Sequence, residues 1–388
     1  MIDIVVVLRA EDAVLDFLSV LADPSRAETR VLVAESGTLL TLPAGTGPAE
    51  RLALLGPLVG PAGRPAGPPD PDTLADLITR ARAARPARLW THSPADNRRS
   101  RGALGREAAR AAARLDAPPP VRHAVGYSPF LQFVSDLDRP LSRELVAAKL
   151  AFVNGRCAHL LGSDHPQHMV YTARVPAAER YFEATEEERD RLFALLASLG
   201  EEAASVADPW EFDTSGYEAD RLDATAAWVS RHCPPGVGRL VEVGACEGAL
   251  TRRLAFAGHR VLATEPNPRF RDRLATALAA IPEAEADDAE LAALAKADGP
   301  AAPAYLLIEM LYYGQDLQLI DRLPTDLVFV ALEPEALRTR LHPWLTASPH
   351  WQAAEETELV GPRLEAVCGG RAYLSKRGSV GVLLRRTP

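Results

Sequence analysis

Lysine is scarce in this chain of 388 residues. Its 43 basic residues include only three lysines, Lys149, Lys296 and Lys376, so arginine carries nearly all of the positive charge. The 52 acidic residues outnumber the basic ones and give a net charge of −9. This deficit of positive charge argues against nucleic acid as a partner, because binding phosphates requires a basic face.

Cysteines and long apolar runs are also scarce. The chain has four cysteines without paired spacing, which is typical of a reducing compartment. No apolar run reaches the length of about 18 residues that suggests a membrane span, and the first residues lack the pattern of a secretory signal. We therefore expect a cytoplasmic protein that binds a small molecule and no membrane, and a homodimer is one assembly consistent with this.

The length and the alternation of strands with helices predict two α/β domains. We place the first domain at residues 1–200 and the second at 201–388, and we expect both to be Rossmann-like. A Gly- and Pro-rich stretch over 42–71 predicts a long surface loop. Thr185 and Glu188 predict a capping box for a helix that Gly200 ends.

The end of the chain predicts the later strands of the second domain. These strands are expected near 305–310, 326–332, 363–367 and 379–385. The last two suggest an antiparallel pair that completes the sheet.

The most informative segment is VEVGACEG at 241–248. An apolar strand enters a turn with Gly244 and Gly248, and a helical pattern follows. Glu265 ends the next apolar run, 21 residues after Gly244. A strand, a glycine turn, a helix and a second strand ending in an acid are typical of a Rossmann-type nucleoside site. The acid accepts hydrogen bonds from the ribose hydroxyls.

The spacing of this turn argues against a dinucleotide. A pyrophosphate is bound by a G-x-G-x-x-G turn, whereas this chain has E-x-G-x-x-x-G with the acid Glu242 on the strand. Glu242 would repel phosphate but suits a ligand with an ammonium group. Here the sequence resembles the class I methyltransferases that depend on S-adenosyl-L-methionine (SAM), which implies a seven-stranded sheet and SAM as the cofactor.

The resemblance implies a set of cofactor-binding residues. They are Glu242, Gly244, Ala245, Gly248, Glu265, Asp287 and Asp288. Asp287 and Asp288 follow a weak third strand, where class I enzymes place an acid on the adenine amino group. Either aspartate can instead be a solvated surface residue, and Cys246 is expected to pack near the cofactor without acting as a nucleophile.

Three further segments narrow the resemblance. They are the lead DPWEFDTSGYEADR at 208–221, the strand end LLIEMLYY at 306–313 and the tail from Glu365 to Arg386. Together they resemble the nodulation-type (NodS-like) methyltransferases over about 205–388. These enzymes N-methylate the free amine of a glucosamine-containing oligosaccharide, so the resemblance implies an amine acceptor on an amino sugar or a sugar-bearing metabolite.

Candidate catalytic residues follow from this chemistry. Glu309 ends the strand that presents residues to the substrate, and a carboxylate there can hold an ammonium or take its proton. Tyr217 and Tyr312 are further candidates that can face the cationic methyl donor, and Tyr313 and Trp210 are candidates for substrate binding. Each has a structural alternative: Glu309 can cap a helix, one of the adjacent tyrosines can be core, and Trp210 can fix the lead segment to the domain.

The first half resembles the PIG-L-like N-acetylglucosamine de-N-acetylases over about 1–183. Those enzymes bind zinc through A-H-P-D-D after the first strand and a later H-x-x-H. Here Arg9 stands at the first histidine, Glu11 at the base and Asp12 at the conserved aspartate, while Arg98 and Arg101 replace the later pair. A guanidinium repels a metal ion, so the resemblance implies an inactive domain with no metal, whose arginines either bind an anion or pair with neighbouring acids.

His92 and Asp96 also match the deacetylase pattern but cannot restore a site alone. A competing metal site is a cluster between Cys157 and His168, whose spacing is irregular for zinc. The alternative functions are O-methylation, for which His342 or His350 could act as the base, a binding protein with two degenerate domains, and a metallo-deacetylase with a rearranged site.

Overall fold

The computed structural model describes residues 1–23, 28–60, 67–126, 131–157, 178–199, 203–296, 299–312 and 314–387. The chain forms two compact units. Unit 1 contains Met1–Pro209 and a second segment, Ala366–Leu374, whereas unit 2 contains Trp210–Glu365 and Ser375–Pro388. The sequence had suggested two continuous domains, 1–200 and 201–388, and gave no sign of the second segment.

The strands are numbered in chain order. They are β1 Ile2–Val7, β2 Thr29–Val33, β3 Thr38–Leu42, β4 Ala87–Thr91, β5 Val121–Ala124, β6 Leu131–Phe133, β7 Leu137–Pro140, β8 Ala178–Phe182, β9 Arg239–Val243, β10 Arg260–Thr264, β11 Ala284–Asp287, β12 Tyr305–Ile308, β13 Leu327–Leu332, β14 Trp351–Val360, β15 Arg363–Val367, β16 Ala372–Lys376 and β17 Ser379–Arg386.

The helices connect these strands and cover both sheets. The α-helices are Ala10–Leu21, Pro48–Leu55, Pro71–Arg82, Arg99–Ala113, Arg143–Arg156, Glu186–Leu195, Gly216–His232, Ala249–Phe256, Pro268–Leu278, Leu291–Leu294, Pro334–Ala336 and His342–Ala347, and a π-helical turn, Leu337–Leu341, joins the last two. None of the described helices combines the length and the apolar composition that crossing a membrane requires.

Unit 1 contains a mixed seven-stranded sheet in the order β3-β2-β1-β4-β5-β8-β7. Its centre, β2-β1-β4-β5, is parallel, and β3, β8 and β7 pair antiparallel at the edges. All residues of β1 are buried because alternate side chains enter apolar clusters on opposite faces. The continuous apolar run of β1 therefore reflects its place at the centre of a covered sheet.

Unit 2 contains a second seven-stranded sheet in the order β11-β10-β9-β12-β13-β17-β14. The first five strands of this order, β11, β10, β9, β12 and β13, are parallel, whereas β17 pairs antiparallel with both β13 and β14. The strand order reverses at β9, which lies between β10 and β12. Ligands of open α/β sheets bind beyond the carboxyl ends of the strands at such a switch point. The mixed α/β architecture and this sheet resemble the methyltransferase fold that the sequence predicted.

The closing antiparallel pair differs from the prediction. Trp351–Val360 (β14), not Arg363–Val367, pairs with β17. The sequence WQAAEETELV has no apolar run because β14 is an edge strand whose side chains are largely exposed. The strand Arg363–Val367 leads instead into the segment that belongs to unit 1, where β16 pairs antiparallel with β6.

Two local predictions in unit 1 need correction. The stretch 42–71 is not one loop, because Pro48–Leu55 is a helix with proline at its first position. The capping box of Thr185 and Glu188 is confirmed, with both reciprocal hydrogen bonds present. That helix ends at Leu195 rather than near Gly200.

Candidate cofactor and acceptor site

The turn after β9 requires left-handed backbone at three positions. The φ angles are +71° at Gly244, +52° at Cys246 and +78° at Gly248. Side-chain-bearing residues rarely adopt this region, and such strain is concentrated at functional sites. A Cβ on Gly248 would also lie 2.7 Å from Leu274 Cδ1, so the close packing of the turn against the helix Pro268–Leu278 excludes a side chain there.

Ala245 anchors this turn to the neighbouring strand. Its N–H donates to the carbonyl of Thr264 over 2.9 Å, and its own carbonyl accepts from Gly248 N–H over 2.8 Å. The turn is therefore held to the end of β10, from which Glu265 follows directly.

Glu265 accepts hydrogen bonds from the turn itself. Its Oε2 accepts from Cys246 N–H over 3.0 Å and its Oε1 from Asn267 N–H over 2.9 Å. Glu265 is 7 % exposed, and burial raises the pKa of its carboxyl. A carboxylate has about four acceptor sites, so both oxygens can still accept from a ligand such as a ribose.

Glu242 is a buried carboxyl at the end of β9. It is 5 % exposed, and its Oε2 accepts from the Thr251 hydroxyl over 2.6 Å. Burial raises the pKa of Glu242 to about 7, and the Thr251 hydrogen bond opposes this only in part. A cationic ligand group would favour the ionised form. Thr251 lies in the following helix, and the sequence analysis did not identify it.

Asp287 and Asp288 lie in different environments. Asp287 ends β11, where its Oδ1 accepts from Ala289 N–H over 2.8 Å and its carbonyl accepts from Glu265 N–H over 2.9 Å. Asp288 is exposed. Of the two predicted aspartates, Asp287 is thus the one that adjoins Glu265.

Glu309 follows β12 with a φ angle of +53°, a further left-handed residue at the carboxyl edge of the sheet. Its Oε1 accepts from the Ser379 hydroxyl over 2.6 Å, and its Oε2 accepts from the Tyr312 hydroxyl. Tyr312 in turn accepts from Glu333 N–H over 2.6 Å, so its proton is directed at Glu309. Burial raises the pKa of the Glu309 carboxyl, which brings it closer to that of a general base at neutral pH.

Tyr217 is buried near the start of the helix Gly216–His232. Lys376 Nζ lies 5.5 Å and Arg363 Cζ 5.3 Å from the centroid of its ring, which is within the range of cation–π contacts. Burial, together with the charges of Glu218 and Glu309, raises the pKa of Tyr217 well above its usual range. Tyr217 therefore stays a neutral phenol and suits a wall of the site better than a base.

A network of ion pairs surrounds this tyrosine. Lys376 Nζ lies 3.1 Å from Oε2 of Glu211 and 3.1 Å from Oε1 of Glu218, while Arg221 Nε donates to Glu218 Oε2 over 2.8 Å. Lys376, Arg221 and Ser379 were not predicted from the sequence as partners of the site. For Lys376, the sequence offered one indication, namely that it is one of only three lysines in the chain.

The remaining predicted residues do not join these groups. Trp210 stacks on Phe212 and lies 5.0 Å, centroid to centroid, from Phe270, as a residue that fixes the lead segment would. Tyr313 lies outside the described residues. His342 pairs with Glu356 over 3.1 Å, and His350 is exposed in the loop before β14. Burial raises the pKa of the Cys246 thiol well above its usual range, which disfavours a nucleophile.

Unit 1 also has a buried polar centre, and it is built around an arginine. Arg101 is 2 % exposed. Its Nε lies 3.6 Å from Asp12 Oδ1, its Nη1 lies 3.5 Å from Asp96 Oδ2, and its Nη2 contacts Asp16. His92 completes the group, with Nδ1 3.2 Å from Arg101 Nε. A guanidinium thus occupies the middle of a cluster of acids and an imidazole.

The charge of Arg101 dominates the electrostatics of this cluster. Burial alone would raise the pKa of Asp12, but the charge of Arg101 and the hydrogen bond from His92 hold it well below its usual range. Arg9 pairs with Glu35 over 2.9 Å. Two of the three arginines considered as anion ligands are therefore engaged by acids, and Arg98 also has interactions of its own.

No group of three histidine, cysteine, aspartate or glutamate side chains suited to a metal ion occurs within the described residues. The sequence cluster between Cys157 and His168 lies, apart from the buried Cys157, outside them.

No family model matches the sequence, and no curated protein matches it. Solved structures match a little under half of the chain. The N-methyltransferase NodS from Bradyrhizobium japonicum WM9, in complex with S-adenosyl-L-homocysteine, is 16 % identical, with 48 % of this chain and 96 % of that chain covered and a TM-score of 0.37. The glycopeptide N-methyltransferase MtfA, complexed with SAM, is 12 % identical, with 42 % and 94 % covered and a TM-score of 0.33.

The magnesium protoporphyrin IX methyltransferase ChlM from Synechocystis PCC 6803, with bound SAM, is 16 % identical, with 43 % of this chain and 78 % of that chain covered and a TM-score of 0.31. With identities of 12–16 % and TM-scores of 0.31–0.37, these similarities carry no argument about what this chain binds.

Proposed function

We propose that unit 2 is a SAM-dependent methyltransferase that acts on a small molecule, namely on the amine of an amino sugar or a sugar-bearing metabolite. The observation that carries this proposal is the strained turn of Gly244, Cys246 and Gly248 with Glu265 bound to its backbone, at the switch point of the sheet. A nucleoside requires this combination of an approachable backbone and a hydroxyl-accepting carboxylate.

The residues present fit SAM. Glu265 retains acceptor capacity for two ribose hydroxyls, and the single hydrogen bond to Glu242 leaves this buried carboxyl suited to an α-ammonium group. Gly244, Ala245 and Gly248 would line the ligand, and Asp287, beside Glu265, would face its adenine. Bound there, SAM supplies an electrophilic methyl group on a sulfonium.

Deprotonation of the acceptor amine is assigned to Glu309. An ammonium has to lose a proton before its nitrogen can attack, and a half-buried carboxyl with a raised pKa is suited to accept that proton. Ser379 and Tyr312 orient both carboxylate oxygens. Tyr217 and Tyr312 are kept neutral by burial, so they would exclude water and face the cationic donor.

O-methylation of a hydroxyl is the second candidate. A hydroxyl calls for a stronger base than a carboxylate, and of the histidines considered for that role, His342 pairs with Glu356 and His350 is exposed. The placement of Glu309 therefore favours the amine. For unit 1 we propose a deacetylase-like domain that binds no metal, which Arg101 at the centre of its acids supports.

Two measurements test this function. Calorimetric titration with S-adenosyl-L-homocysteine should show one site, and an absence of binding up to about 1 mM would remove every methyltransferase hypothesis. Binding without turnover would favour a binding protein with degenerate domains. Incubation with SAM and glucosamine, followed by mass spectrometry and NMR of the product, should show an N-methyl group; an O-methyl product would overturn the amine assignment.

A further inference from the structure

One charged group of the proposed cofactor has no partner among the residues assigned to it. SAM carries an α-carboxylate beside its α-ammonium group, and S-adenosyl-L-homocysteine carries the same pair. The side chains assigned to the cofactor are either acidic, as those of Glu242, Glu265 and Asp287 are, or uncharged. A carboxylate that leaves water needs donors, and a cation supplies the strongest ones. A buried cation of unit 2 is therefore the first candidate for this group.

Arg221 is the one buried arginine or lysine of unit 2 within the residues that the structure describes, with 5 % of its surface exposed. It lies in the helix Gly216–His232, four residues after Tyr217. Residues four apart share one face of a helix. Arg221 therefore follows the face that Tyr217 contributes to the proposed site.

The guanidinium of Arg221 has a donor that the protein does not use. Its Nε donates to Glu218 Oε2 over 2.8 Å, whereas its Nη1 is buried without a hydrogen-bond partner. The other oxygen of Glu218, Oε1, accepts from Lys376 Nζ over 3.1 Å. A buried donor without an acceptor is costly. A ligand that brings a negatively charged oxygen to Nη1 would remove that cost.

Neighbouring charges keep Arg221 in its cationic form. Burial alone would lower the pKa of Arg221, but the charges of Glu218 and Glu309 raise it above its usual value. The influence is mutual, since burial raises the pKa of Glu309 and the charge of Arg221 opposes this. The oxygens of Glu309 accept from Ser379 and Tyr312. Arg221 is therefore near the proposed acceptor carboxylate while its Nη1 remains available.

The helix that carries Arg221 packs beside the glycine turn. Leu222 belongs to one apolar cluster with Ala249 and Leu250, and these two residues begin the helix that directly follows Gly248. Asp223 Oδ1 also accepts from Arg253 Nε of that helix over 2.6 Å. The start of one helix is thus held against the start of the other, next to the turn.

Arg221 consequently lies near both ends of the interval that the methionine part of SAM has to span. Its ammonium group is proposed to lie at Glu242, at the end of β9, and its methyl group points towards the acceptor at Glu309, beyond β12. These two strands are neighbours in the sheet. A cation beside this interval suits the remaining charged group, the carboxylate.

We propose that Arg221 binds the α-carboxylate of SAM through its Nη1. Glu242 and Arg221 then each receive one of the two opposite charges of the amino-acid part of the cofactor. Glu309 is left to the ammonium of the acceptor. This inference rests on the proposed function, because it assigns a residue to the proposed cofactor.

A pair of ligands isolates this contact. Calorimetry compares S-adenosyl-L-homocysteine with its decarboxylated analogue, which keeps the adenosine, the thioether and the amine. The wild type should bind S-adenosyl-L-homocysteine roughly thirtyfold more tightly, as expected for a hydrogen bond between charged groups. In Arg221→Gln, its affinity should fall by about the same factor, whereas the affinity for the analogue should stay at the wild-type value.

Two further variants serve as controls. Arg221→Lys keeps the charge without the forked donors, so it should recover only part of the preference for S-adenosyl-L-homocysteine. Arg231→Gln removes an arginine from the same helix, where it forms an exposed 2.7 Å pair with Glu355. This matched control should bind both ligands as the wild type does.

Equal affinities of the wild type for the two ligands would overturn the proposal without any variant. An equal loss for both ligands in Arg221→Gln would assign Arg221 a structural role only, which also contradicts it. In both cases the wild type still binds S-adenosyl-L-homocysteine, so the proposed function stands. A wild type that binds neither ligand would instead remove the proposed function and this assignment together.

A structure of the complex with S-adenosyl-L-homocysteine provides a second readout. A carboxylate oxygen of the ligand should lie within about 3 Å of Arg221 Nη1. A carboxylate bound by other donors, with Nη1 still lacking an acceptor, would refute the assignment.

Discussion

Each sheet has buried carboxylates at or just beyond the carboxyl ends of two neighbouring parallel strands, and the two groups are compensated in opposite ways. In unit 1, Asp12 and Asp96 surround the buried guanidinium of Arg101. In unit 2, the hydrogen bonds to the side chains of Glu242 and Glu265 come from neutral donors, a threonine hydroxyl and two backbone N–H groups. One site contains its own cation, whereas the other holds buried acids that a ligand can complete.

The difference lies in what compensates the buried carboxylates of each unit. A buried carboxylate is costly unless a charge or several donors compensate it. Arg101 supplies that charge from within unit 1. In unit 2 burial instead raises the pKa of both Glu242 and Glu265. Breaking the compensation in either unit tests this contrast.

The largest effect is expected from Arg101→Met. The substitution leaves buried acids without their counter-ion, which typically costs about 3–5 kcal/mol in the free energy of unfolding. Chemical denaturation monitored in unit 1 should show this loss, while the affinity of unit 2 for S-adenosyl-L-homocysteine stays unchanged. Arg114→Met, at an exposed pair with Asp72, should cost less than about 1 kcal/mol.

A loss below about 1 kcal/mol in Arg101→Met would show that the acids of unit 1 do not depend on this arginine. Stoichiometric zinc in the purified wild type would contradict the contrast more directly, since it would place a metal ion where the guanidinium lies.

The residues that could be predicted from sequence are those whose partners are close in the chain. Gly244, Gly248 and Glu265 belong to one strand–turn–helix–strand unit, so their spacing in the sequence alone predicts that they lie close together in the fold. The capping box of Thr185 and Glu188 is local in the same way. That Arg101 stands in place of a metal ligand rests on the resemblance alone and stays a prediction.

The partners that escaped prediction are distant in sequence. Ser379 reaches Glu309 across 70 residues and Lys376 reaches Glu218 across 158. The strand that pairs with β17 is Trp351–Val360, and an edge strand rich in glutamate has no apolar run from which it could be predicted. The contacts of Arg101 with Asp16 and His92 likewise depend on the packing of two helices on β4 and β1.

Glu309→Gln should give the largest effect in unit 2. Glutamine keeps the shape but cannot take a proton, so kcat with SAM and glucosamine should fall about a hundredfold to a thousandfold. The affinity for S-adenosyl-L-homocysteine, measured by calorimetry, should change little if Glu309 binds the acceptor and not the cofactor, as proposed. Glu355→Gln, on the edge strand β14, is the surface control. Turnover unchanged from the wild type would remove Glu309 from the acceptor role.

Glu265→Ala should weaken binding of S-adenosyl-L-homocysteine about a hundredfold. The substitution removes the two hydrogen bonds that the ribose hydroxyls would donate to this carboxylate, each contributing about 1.5 kcal/mol or more. It also removes the acceptor of the Cys246 N–H in the strained turn. Asp96→Ala, a buried acid of the other sheet, should leave this affinity at the wild-type value. Equal losses in both variants would mean that the two carboxyl edges are not functionally distinct.

The smallest effect concerns the pH dependence of Glu242, whose carboxyl has a pKa of about 7 against a usual 4.5. At pH 6 about a tenth of it is ionised and at pH 8 about nine-tenths, so the affinity for S-adenosyl-L-homocysteine, with its ammonium group, should rise about tenfold over this interval. Calorimetry at both pH values measures how the affinity changes with pH, and Glu242→Gln should abolish this change.

The stability of the protein without ligand should depend on pH in the opposite direction. Because the folded-state pKa of Glu242 is raised, stability is lost as the pH rises from about 4.5 to about 7. Glu242→Gln should therefore melt higher than the wild type at pH 8 and bind the ligand less tightly, whereas parallel slopes in the two proteins would mean that the ammonium group is bound elsewhere.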